Sequence, residues 1–354
     1  MSDNYWEDKV YRFFRSILFL FPAEASHRLV AVLMRMAYAI PPVRVAIRWY
    51  YGVRNPLLER EFCGIRLANP VGLAAGFDKN AKLYKAFSML GFSFIEIGTV
   101  TPVGQPGNPK PRLFRIVQDS ALINRMGFNN EGVEAVVKRL KSSRPNIVIG
   151  GNIGKNTHTS NTEAPFDYLY CFDELYPYVD YFTVNVSCPN VAGLSALQDP
   201  ELLADILRKI INKRNTQKQR KPVLVKISPD LSIMQLDGIL KTIEELGIDG
   251  IVAANTTTQR NHLTIDRQTV EALGNGGLSG EPLKWKTLEV INYIRQRTKG
   301  KLPVIGTGGI MKEEDAISLI NAGASLVQLY SGLIYQGPSL VKKINKAILR
   351  QHSD

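Results

Sequence analysis

The sequence Asn-Val-Ser-Cys-Pro-Asn at positions 185–190 places a thiol, a hydroxyl and two amides directly after the largely apolar run 181–184. A cysteine thiol has an unperturbed pKa of about 8.5, so near neutral pH it is a better proton acceptor than a serine hydroxyl. Most free cysteines are instead small, buried apolar residues. The position of Cys188 at the end of a predicted strand, between Ser187 and Pro189, favours its interpretation as a general base.

Further polar groups and glycines follow the other predicted strands. A single asparagine at a strand end is ordinarily a turn former, and a single lysine is ordinarily a solvated charge. Because seven strand ends carry amide, ammonium or glycine groups together, the pattern indicates one shared polar site. The residues at these ends are Lys79, Thr99, Asn152, Asn185, Asn190, Lys226, Asn255, Thr256, Gly308, Gly309, Tyr330 and Ser331.

The last two predicted strands end in glycine-rich turns. Gly-Thr-Gly-Gly at 306–309 and Tyr-Ser-Gly at 330–332 each lead into a helical pattern. Backbone N–H groups in such turns bind phosphate at a helix N-terminus, at the place where barrels hold phosphates. The pattern fits a phosphorylated substrate as well as a flavin mononucleotide (FMN), and it leaves both open.

The elements that must position these groups repeat along the chain from about residue 68. Short β-rich runs alternate with amphipathic segments of helix length, at 69–77, 92–100, 146–154, 181–188, 222–228, 250–257, 303–309 and 324–332. This alternation predicts an α/β protein with a (β/α)8 TIM barrel. A doubly wound open sheet is disfavoured because no GxGxxG turn follows the first strand. Two long interruptions, at 101–130 and 258–282, are predicted to form functional covers.

Residues 1–60 predict an N-terminal two-helix extension, and residues 61–354 are assigned to the barrel. The first helix is expected to end near Phe21 and the second to run from about Glu24 to Ala39, where prolines stop it. Charged residues interrupt the apolar runs well below the roughly 18 residues that a spanning helix needs. Nine basic and five acidic residues accompany a heavy aromatic and aliphatic content. Such helices can lie in a membrane interface or pack on their own barrel, and amphipathicity does not distinguish the two.

The composition limits the classes of binding partner but does not single out one of them. The 354 residues carry a formal net charge of +12, which permits nucleic acid, an anionic membrane surface or anionic ligands. No nucleic-acid-binding motif is present, so no nucleic-acid partner is predicted. Cys63, Cys171 and Cys188 lie far apart without metal-ligand spacing, so no metal site is predicted and the thiols are expected to be reduced.

Motifs along nearly the whole chain resemble dihydroorotate dehydrogenase of the quinone-linked, membrane-associated class. They lie at 74–80, 96–102, 124–130, 185–190, 193–198, 225–230, 254–257, 276–280, 305–310 and 328–332. The resemblance implies oxidation of dihydroorotate to orotate in de novo pyrimidine synthesis, with FMN as cofactor. It also implies a membrane quinone that arrives through the N-terminal helices, and a peripheral position on the cytoplasmic face of a bacterial inner membrane.

The resemblance also implies roles for individual residues. Cys188 would be the base, where quinone-linked members usually have serine, and Lys79 and a nearby positive site are expected to lower its pKa. The implied FMN contacts are Ala75, Gly76, Lys79, Thr99, Asn152, Asn185, Lys226, Gly280, Gly308, Gly309, Tyr330 and Ser331. The implied substrate contacts are Lys79, Asn124, Arg125, Met126, Gly127, Phe128, Asn185, Asn190, Asn255 and Thr256.

Three other functions stay open at this point. Cysteine at position 188 is typical of the soluble class, whose acceptors are fumarate or NAD. A non-catalytic barrel on a membrane surface could hold a phosphate ligand through the same turns. A lyase or isomerase of sugar phosphates would need a carboxylate at a strand end, and the candidates Asp78 and Glu96 are both interpreted as structural.

Overall fold

Eight parallel strands close into the barrel that the alternating pattern predicts. The structure is a computed structural model that describes residues 5–142, 145–191, 193–261 and 263–352. Its strands are β1 (Arg60–Phe62), β2 (Ile65–Leu67), β3 (Val71–Leu73), β4 (Phe94–Val100), β5 (Val103–Gln105), β6 (Leu113–Ile116), β7 (Ala121–Asn124), β8 (Asn130–Gly132), β9 (Val148–Ile153), β10 (Tyr181–Asn185), β11 (Val223–Lys226), β12 (Gly250–Ala253), β13 (Gly277–Gly280), β14 (Val304–Thr307) and β15 (Leu326–Leu329). The barrel order is β10-β11-β12-β14-β15-β3-β4-β9, and each of these strands falls within one of the eight predicted runs.

Helices connect the barrel strands and form the N-terminal extension. They are α1 (Tyr5–Phe19), α2 (Ala23–Ala39), α3 (Pro41–Tyr51), α4 (Tyr84–Phe87), α5 (Val133–Leu140), α6 (Ala164–Leu175), α7 (Pro200–Asn215), α8 (Ile233–Leu246), α9 (Arg267–Leu273), α10 (Lys284–Arg297), α11 (Glu313–Ala322), α12 (Ser331–Gln336) and α13 (Ser339–Gln351). The Asp199 side chain accepts a hydrogen bond from the backbone N–H of Glu201, which caps α7. Ser232 and Gln235 form a capping box at the start of α8.

Apolar side chains fill the end of the barrel where the strands begin. Phe62 and Leu67, from the β1–β2 hairpin, are buried with Phe94, Leu224 and Ile305. Burial of such side chains stabilises the fold by roughly 25 cal/mol per Å² of apolar surface. Because this end is closed, space for a ligand is left at the opposite end, where the polar residues follow the strands.

The two long interruptions predicted as covers lie over that opposite end and pair with each other. Strands β6 and β7 come from the first interruption and form a three-stranded antiparallel sheet with β13, which comes from the second. Within this sheet Asn124 of β7 is directly opposite Gly277 of β13. The cover is therefore one structure built from two distant parts of the chain.

Over the described residues 5–60, the N-terminal extension contains three α-helices, one more than the sequence predicts. Helix α2 ends at Ala39, as expected, but Pro41 then becomes the first residue of α3. Proline is tolerated in the first turn of a helix because its missing N–H would have no partner there. The predicted two-helix extension is thus corrected to three helices, since the same prolines that end one helix begin the next.

Polar contacts attach the extension to the barrel. The Tyr11 hydroxyl donates to the backbone oxygen of Ile334 at 2.8 Å, and Lys343 Nζ lies 2.6 Å from Asp8 Oδ1. Many apolar side chains of the extension nevertheless face solvent: Val10, Phe13, Phe14, Ile17, Leu20, Phe21, Leu29, Val32, Leu33, Met36, Ile40, Val43, Val45, Trp49 and Tyr50. Within the described ranges no single helix is long and apolar enough to cross a membrane, and α2 with α3, bent by 106°, meets that test only as a pair.

Candidate functional site

A cleft at the C-terminal ends of the barrel strands brings together most of the predicted site residues. It encloses about 980 Å³, including the part open to solvent. The predicted residues that line it are Ala75, Gly76, Lys79, Thr99, Asn124, Met126, Gly127, Phe128, Asn185, Cys188, Lys226, Asn255, Thr256, Gly280, Gly308, Gly309, Tyr330 and Ser331. The remaining three, Arg125, Asn152 and Asn190, lie outside this lining.

A column of hydrogen-bonded side chains forms the floor of the cleft. The Asn185 amide donates to Thr99 Oγ1 at 2.9 Å, and the Thr99 hydroxyl donates to Asn152 Oδ1 at 2.5 Å. Asn152 is fully buried beneath them and donates to Glu96 Oε1 at 2.7 Å. Asn152 therefore holds the floor in place from below and does not face the cleft.

The two strand-end carboxylates are both engaged in structural hydrogen bonds. The second oxygen of Glu96 accepts from the side chains of Tyr181, Thr183 and Gln328. The Asp78 carboxylate accepts from the backbone N–H groups of Lys82, Leu83 and Tyr84. Neither carboxylate lines the cleft, so acid–base chemistry by a carboxylate, as in a sugar-phosphate lyase or isomerase, has no support here.

Two lysines, Lys226 buried and Lys79 half-buried, bring positive charge to the cleft. Burial lowers the pKa of Lys226, which is 5% exposed at the end of β11. Lys79 Nζ donates to Asn129 Oδ1 at 2.5 Å. Burial, reinforced by the charge of Arg112, lowers the pKa of Lys79 to about 7. An anion bound beside Lys79 would favour its charged form, so anion binding is coupled to proton uptake.

The Cys188 thiol lines the cleft, but its pKa departs from the sequence expectation. Burial raises the pKa of the thiol above its usual value, against the lowering effects of hydrogen bonds from Asn190 and the charges of Lys79 and Lys226. The expectation of a lowered pKa is therefore corrected, because loss of hydration disfavours the thiolate more than the two lysines favour it. Near neutral pH the thiol is mostly protonated.

Amides line the part of the cleft nearest to Cys188. Asn190 Nδ2 donates to Asn124 Oδ1 at 3.0 Å, so Asn190 orients Asn124 from behind the lining. Asn255 Nδ2 donates to the Ser187 hydroxyl at 3.0 Å. Side-chain amides present a donor and an acceptor side by side, so this wall suits a flat ligand with amide edges.

Arg125 does not reach the cleft with its guanidinium group. The group donates to the backbone oxygen of Asn275 at 3.0 Å and lies 4.5 Å from the ring centroid of Phe114. Its backbone N–H also donates to the carbonyl of Arg112 at 2.9 Å. Arg125 therefore joins parts of the cover, whereas its neighbours Met126, Gly127 and Phe128 line the site.

The glycine-rich turns after β14 and β15 fit the phosphate of FMN. An added Cβ at Gly309 would lie 2.2 Å from Lys284 Cα, and one at Gly332 would lie 2.1 Å from the backbone oxygen of Ile310. Only glycine permits such close packing, and both turns border the cleft. The backbone N–H groups of these turns match the phosphate of FMN. The buried ammonium of Lys226, which lines the same cleft, matches the electron-poor ring of FMN.

We expect an Asp315→Asn variant to bind FMN roughly tenfold more weakly, because charge-assisted hydrogen bonds contribute about 1.5–3 kcal/mol. Asp315 Oδ2 accepts from the N–H groups of Met311 and Lys312 at 2.9 and 3.0 Å, and Oδ1 lies 2.5 Å from Lys284 Nζ. These contacts hold the turn that follows Gly309. Fluorescence titration of apoprotein with FMN, and with riboflavin as the ligand without phosphate, measures the effect.

Riboflavin affinity should change little in Asp315→Asn, and Asp205→Asn, at an exposed site on α7, should bind both flavins normally. An equal loss of FMN and riboflavin affinity would show that Asp315 does not act through the phosphate turn.

Eight further lining residues were not assigned individually from the sequence, although Thr307 and Gly332 lie in the predicted glycine-rich turns. The eight residues are Ala74, Ala254, Ser279, Leu283, Thr307, Ile310, Gln328 and Gly332. The sequence does carry a signal for Gln328, because a glutamine inside an otherwise apolar strand is unusual. In the structure, the Gln328 side-chain oxygen lies 3.2 Å from the Thr307 hydroxyl. The apolar members carried no such signal, because an alanine or leucine at a cleft has the same sequence pattern as one in the core.

Comparisons with known proteins agree on one family. A family model described as dihydroorotate dehydrogenase matches residues 57–351. A relative from Christiangramia forsetii named dihydroorotate dehydrogenase (quinone) is 50% identical over 337 residues, covering 95% of this chain and 98% of the relative. One from Thermosynechococcus vestitus with the same name is 48% identical, covering 87% and 85%. The ferulenol complex of DHODH from Eimeria tenella superposes with a TM-score of 0.82 at 34% identity, covering 93% of this chain and 92% of the other.

Proposed function

The chain belongs to the dihydroorotate dehydrogenase family, and from that premise we propose that Cys188 is the general base of its reaction. The enzyme is an oxidoreductase that converts dihydroorotate to orotate in pyrimidine synthesis with a quinone as electron acceptor, so the fumarate- or NAD-linked and non-catalytic alternatives are set aside. FMN bound in the cleft would supply the acceptor for the hydride from C6 of dihydroorotate and the route for the electrons to the quinone. The observation that carries the proposal is that the Cys188 thiol, the Lys79 ammonium and the glycine-rich turns line one cleft.

Lys79 and the amides are proposed to hold the substrate. The ammonium of Lys79 pairs with the carboxylate of dihydroorotate, and Asn124, Asn255 and Thr256 meet the amide edges of its ring. Asn190 keeps Asn124 oriented through the 3.0 Å hydrogen bond between their side chains. The remaining predicted contacts, Met126, Gly127, Phe128 and Asn185, line the same cleft.

Cys188 is proposed to remove the proton from C5 of the substrate. The base form is the thiolate, and hydrogen bonds from Asn190 together with the charges of Lys79 and Lys226 favour it against burial. A general base must be in its ionised form to take the proton. Proton removal should therefore become faster as the pH rises through the pKa of Cys188.

The residues proposed to hold FMN surround the floor and the glycine-rich turns. Lys226, which lines the cleft, would supply a positive charge that favours the reduced flavin. Thr99 and Asn185 present the upper part of the floor, and Asn152 supports them. The other proposed contacts are Ala75, Gly76, Lys79, Gly280, Gly308, Gly309, Tyr330 and Ser331.

Residues 1–60 are proposed to be a membrane and quinone-access module on the barrel of residues 61–354, at the cytoplasmic face of a bacterial inner membrane. Support comes from the exposed apolar side chains of α1, α2 and α3. Support also comes from aromatic contacts that lead from α2 to the cleft: the His27 ring lies 5.9 Å from that of Phe77, which lies 4.6 Å from that of Tyr330. A quinone entering between the helices would reach the flavin side of the cleft along these rings.

Orotate affinity of the holoenzyme is expected to fall as the pH rises above 7. The pKa of Lys79 is lowered to about 7, so below this pH the ammonium already carries the charge that the orotate carboxylate requires. Above it, binding must first add a proton to Lys79, which weakens affinity by up to about tenfold per pH unit until the pKa of the complex is reached. Spectral titration of the bound flavin with orotate between pH 6 and 8.5 measures the profile.

A Lys79→Met variant should bind orotate weakly and with little dependence on pH in this range. If wild-type affinity were constant from pH 6 to 8.5, Lys79 would not be the partner of the carboxylate.

A further inference from the structure

An ion pair connects helix α2 of the extension to the cover of the active site. Arg112 Nε lies 3.3 Å from Glu24 Oε1, and Nη2 donates to Glu24 Oε2 at 3.4 Å. The Arg112 side chain is only 8% exposed. Since a buried guanidinium needs partners for its N–H groups, its position depends on Glu24 and on the remaining acceptors around it.

Those remaining acceptors belong to the segment that carries Asn108. Arg112 Nη1 donates to the backbone oxygen of Pro106 at 2.6 Å and to that of Asn108 at 3.0 Å. The backbone N–H of Asn108 donates to the Met126 carbonyl at 3.1 Å. An added Cβ at Gly127 would lie 2.8 Å from Asn108 Cγ. The Asn108 side chain is therefore closely confined against the substrate-side segment.

The Asn108 amide in turn contacts the loop that holds the thiol. Its Nδ2 donates to the backbone oxygen of Asn190 at 3.0 Å. Asn190 directs both a backbone and a side-chain hydrogen bond toward Cys188, and both lower the pKa of the thiol. Without the Asn108 contact, the 188–190 segment would lose a hydrogen bond that fixes where Asn190 lies.

We propose that Asn108 is a positioning residue for Cys188, and that Glu24, through Arg112, makes this positioning depend on the N-terminal extension. The proposal rests on the assignment of Cys188 as the base, but only for its consequence in catalysis. It implies that the helices on the quinone side influence proton removal on the substrate side through one continuous set of hydrogen bonds. Asn108 and Glu24 act through other residues and need not touch the substrate or FMN.

The thiol also faces groups that titrate or carry charge, and these must be separated from the proposed effect. They are Lys79, Lys226 and Tyr168. The charge of Arg112 lowers the pKa of Lys79, and the charge of Glu24 raises it. Removing the Glu24 charge therefore also changes the charge of Lys79, which in turn affects the pKa of Cys188. Replacement of the neutral Asn108 changes no charge, which makes Asn108→Ala the variant that isolates positioning.

The test is the reactivity of Cys188 toward iodoacetamide as a function of pH in the holoenzyme, followed by mass spectrometry of the Cys188 peptide. Thiolate content sets the rate, and the readout does not require turnover. We expect alkylation at pH 7 to be about three- to tenfold slower in Asn108→Ala, which corresponds to an upward shift of about half to one pH unit in the profile. Glu24→Gln should shift the profile in the same direction by a smaller amount.

Asp8→Asn is the matched control, because it breaks another ion pair between the extension and the barrel, with Lys343 at 2.6 Å, that does not lead to the thiol. Its profile should match that of the wild type. The proposal is overturned if Asn108→Ala leaves the profile unchanged, or if Glu24→Gln behaves like Asp8→Asn. Failure of Cys188 as the base would appear instead as activity retained in Cys188→Ala, and the alkylation profiles would not be affected by that outcome.

Discussion

A Cys188→Ala variant is expected to lose reduction of the flavin by dihydroorotate while keeping its FMN. General-base catalysis contributes about 10²- to 10⁴-fold, and the methyl group leaves no group at this position to accept the C5 proton. FMN should stay bound because the glycine-rich turns after β14 and β15 do not depend on the 188–190 segment. Anaerobic stopped-flow absorbance at saturating dihydroorotate gives the rate, and the absorption spectrum of the purified enzyme gives the flavin content.

Two further variants serve as a comparison and a control for the Cys188→Ala result. Cys188→Ser should keep weak activity with an optimum at higher pH, because a hydroxyl ionises far less readily than a thiol. Cys63→Ser is the matched control, since Cys63 lies in the turn between β1 and β2 at the closed end of the barrel and donates to the backbone oxygen of Asp249 at 3.3 Å. Full activity in Cys188→Ala would remove Cys188 from the mechanism.

Replacing Phe13, Leu33 and Trp49 together by serine is expected to detach the full-length enzyme from membranes. These side chains, one on each helix of the extension, are 65%, 54% and 82% exposed. Full burial of such a side chain contributes about 1.5–3 kcal/mol, so even partial insertion of three predicts roughly 100-fold or greater loss of vesicle binding. Cosedimentation with vesicles that contain anionic lipid measures binding, and turnover with a long-chain quinone in the same vesicles should fall with it.

Flavin reduction by dihydroorotate should be unchanged in the triple variant, because the substituted side chains face solvent. The matched control replaces Ile233 and Met234 by serine at the start of α8, where they are 66% and 82% exposed on the barrel. This control should bind vesicles as the wild type does. Vesicle binding by the triple variant at wild-type strength would contradict a membrane role for these side chains.

The barrel could be predicted from sequence because each strand is a short apolar run with a helix-length segment after it. Runs such as 222–228 and 250–257 contain the strands β11 and β12, although the strands end earlier than the runs. The pairing of β7 with β13 could not be predicted, since nothing local to either segment specifies a partner far along the chain. The start of α3 was missed for another reason: prolines at 41 and 42 are compatible with both a helix end and a helix start.

The candidate site was predictable to the extent that strand ends converge in a parallel barrel. Sequence position does not give side-chain direction, however, so Asn152 turned out to support the floor from below and Arg125 to brace the cover. The direction in which the pKa of Cys188 shifts could not be predicted from the sequence either. The two lysines are visible in the sequence, but the loss of hydration that outweighs them exists only in the folded cleft.

The Glu96 side chain, whose oxygens accept hydrogen bonds from Asn152, Tyr181, Thr183 and Gln328, sets the direction of the hydrogen bonds above it. Because Glu96 Oε1 accepts from Asn152, the NH2 group of Asn152 points toward Glu96 and its carbonyl oxygen points toward Thr99. That oxygen takes the proton of Thr99, which leaves the Thr99 lone pair to receive the NH2 group of Asn185. The Asn185 carbonyl oxygen therefore lies on the other side of the amide, where it accepts from the Ser187 N–H at 3.3 Å and from the Asn255 amide at 3.4 Å. A neutral glutamine in place of Glu96 would allow the whole column to reverse, and the NH2 group of Asn185 would then face the donors of Ser187 and Asn255 where its carbonyl oxygen now accepts from them.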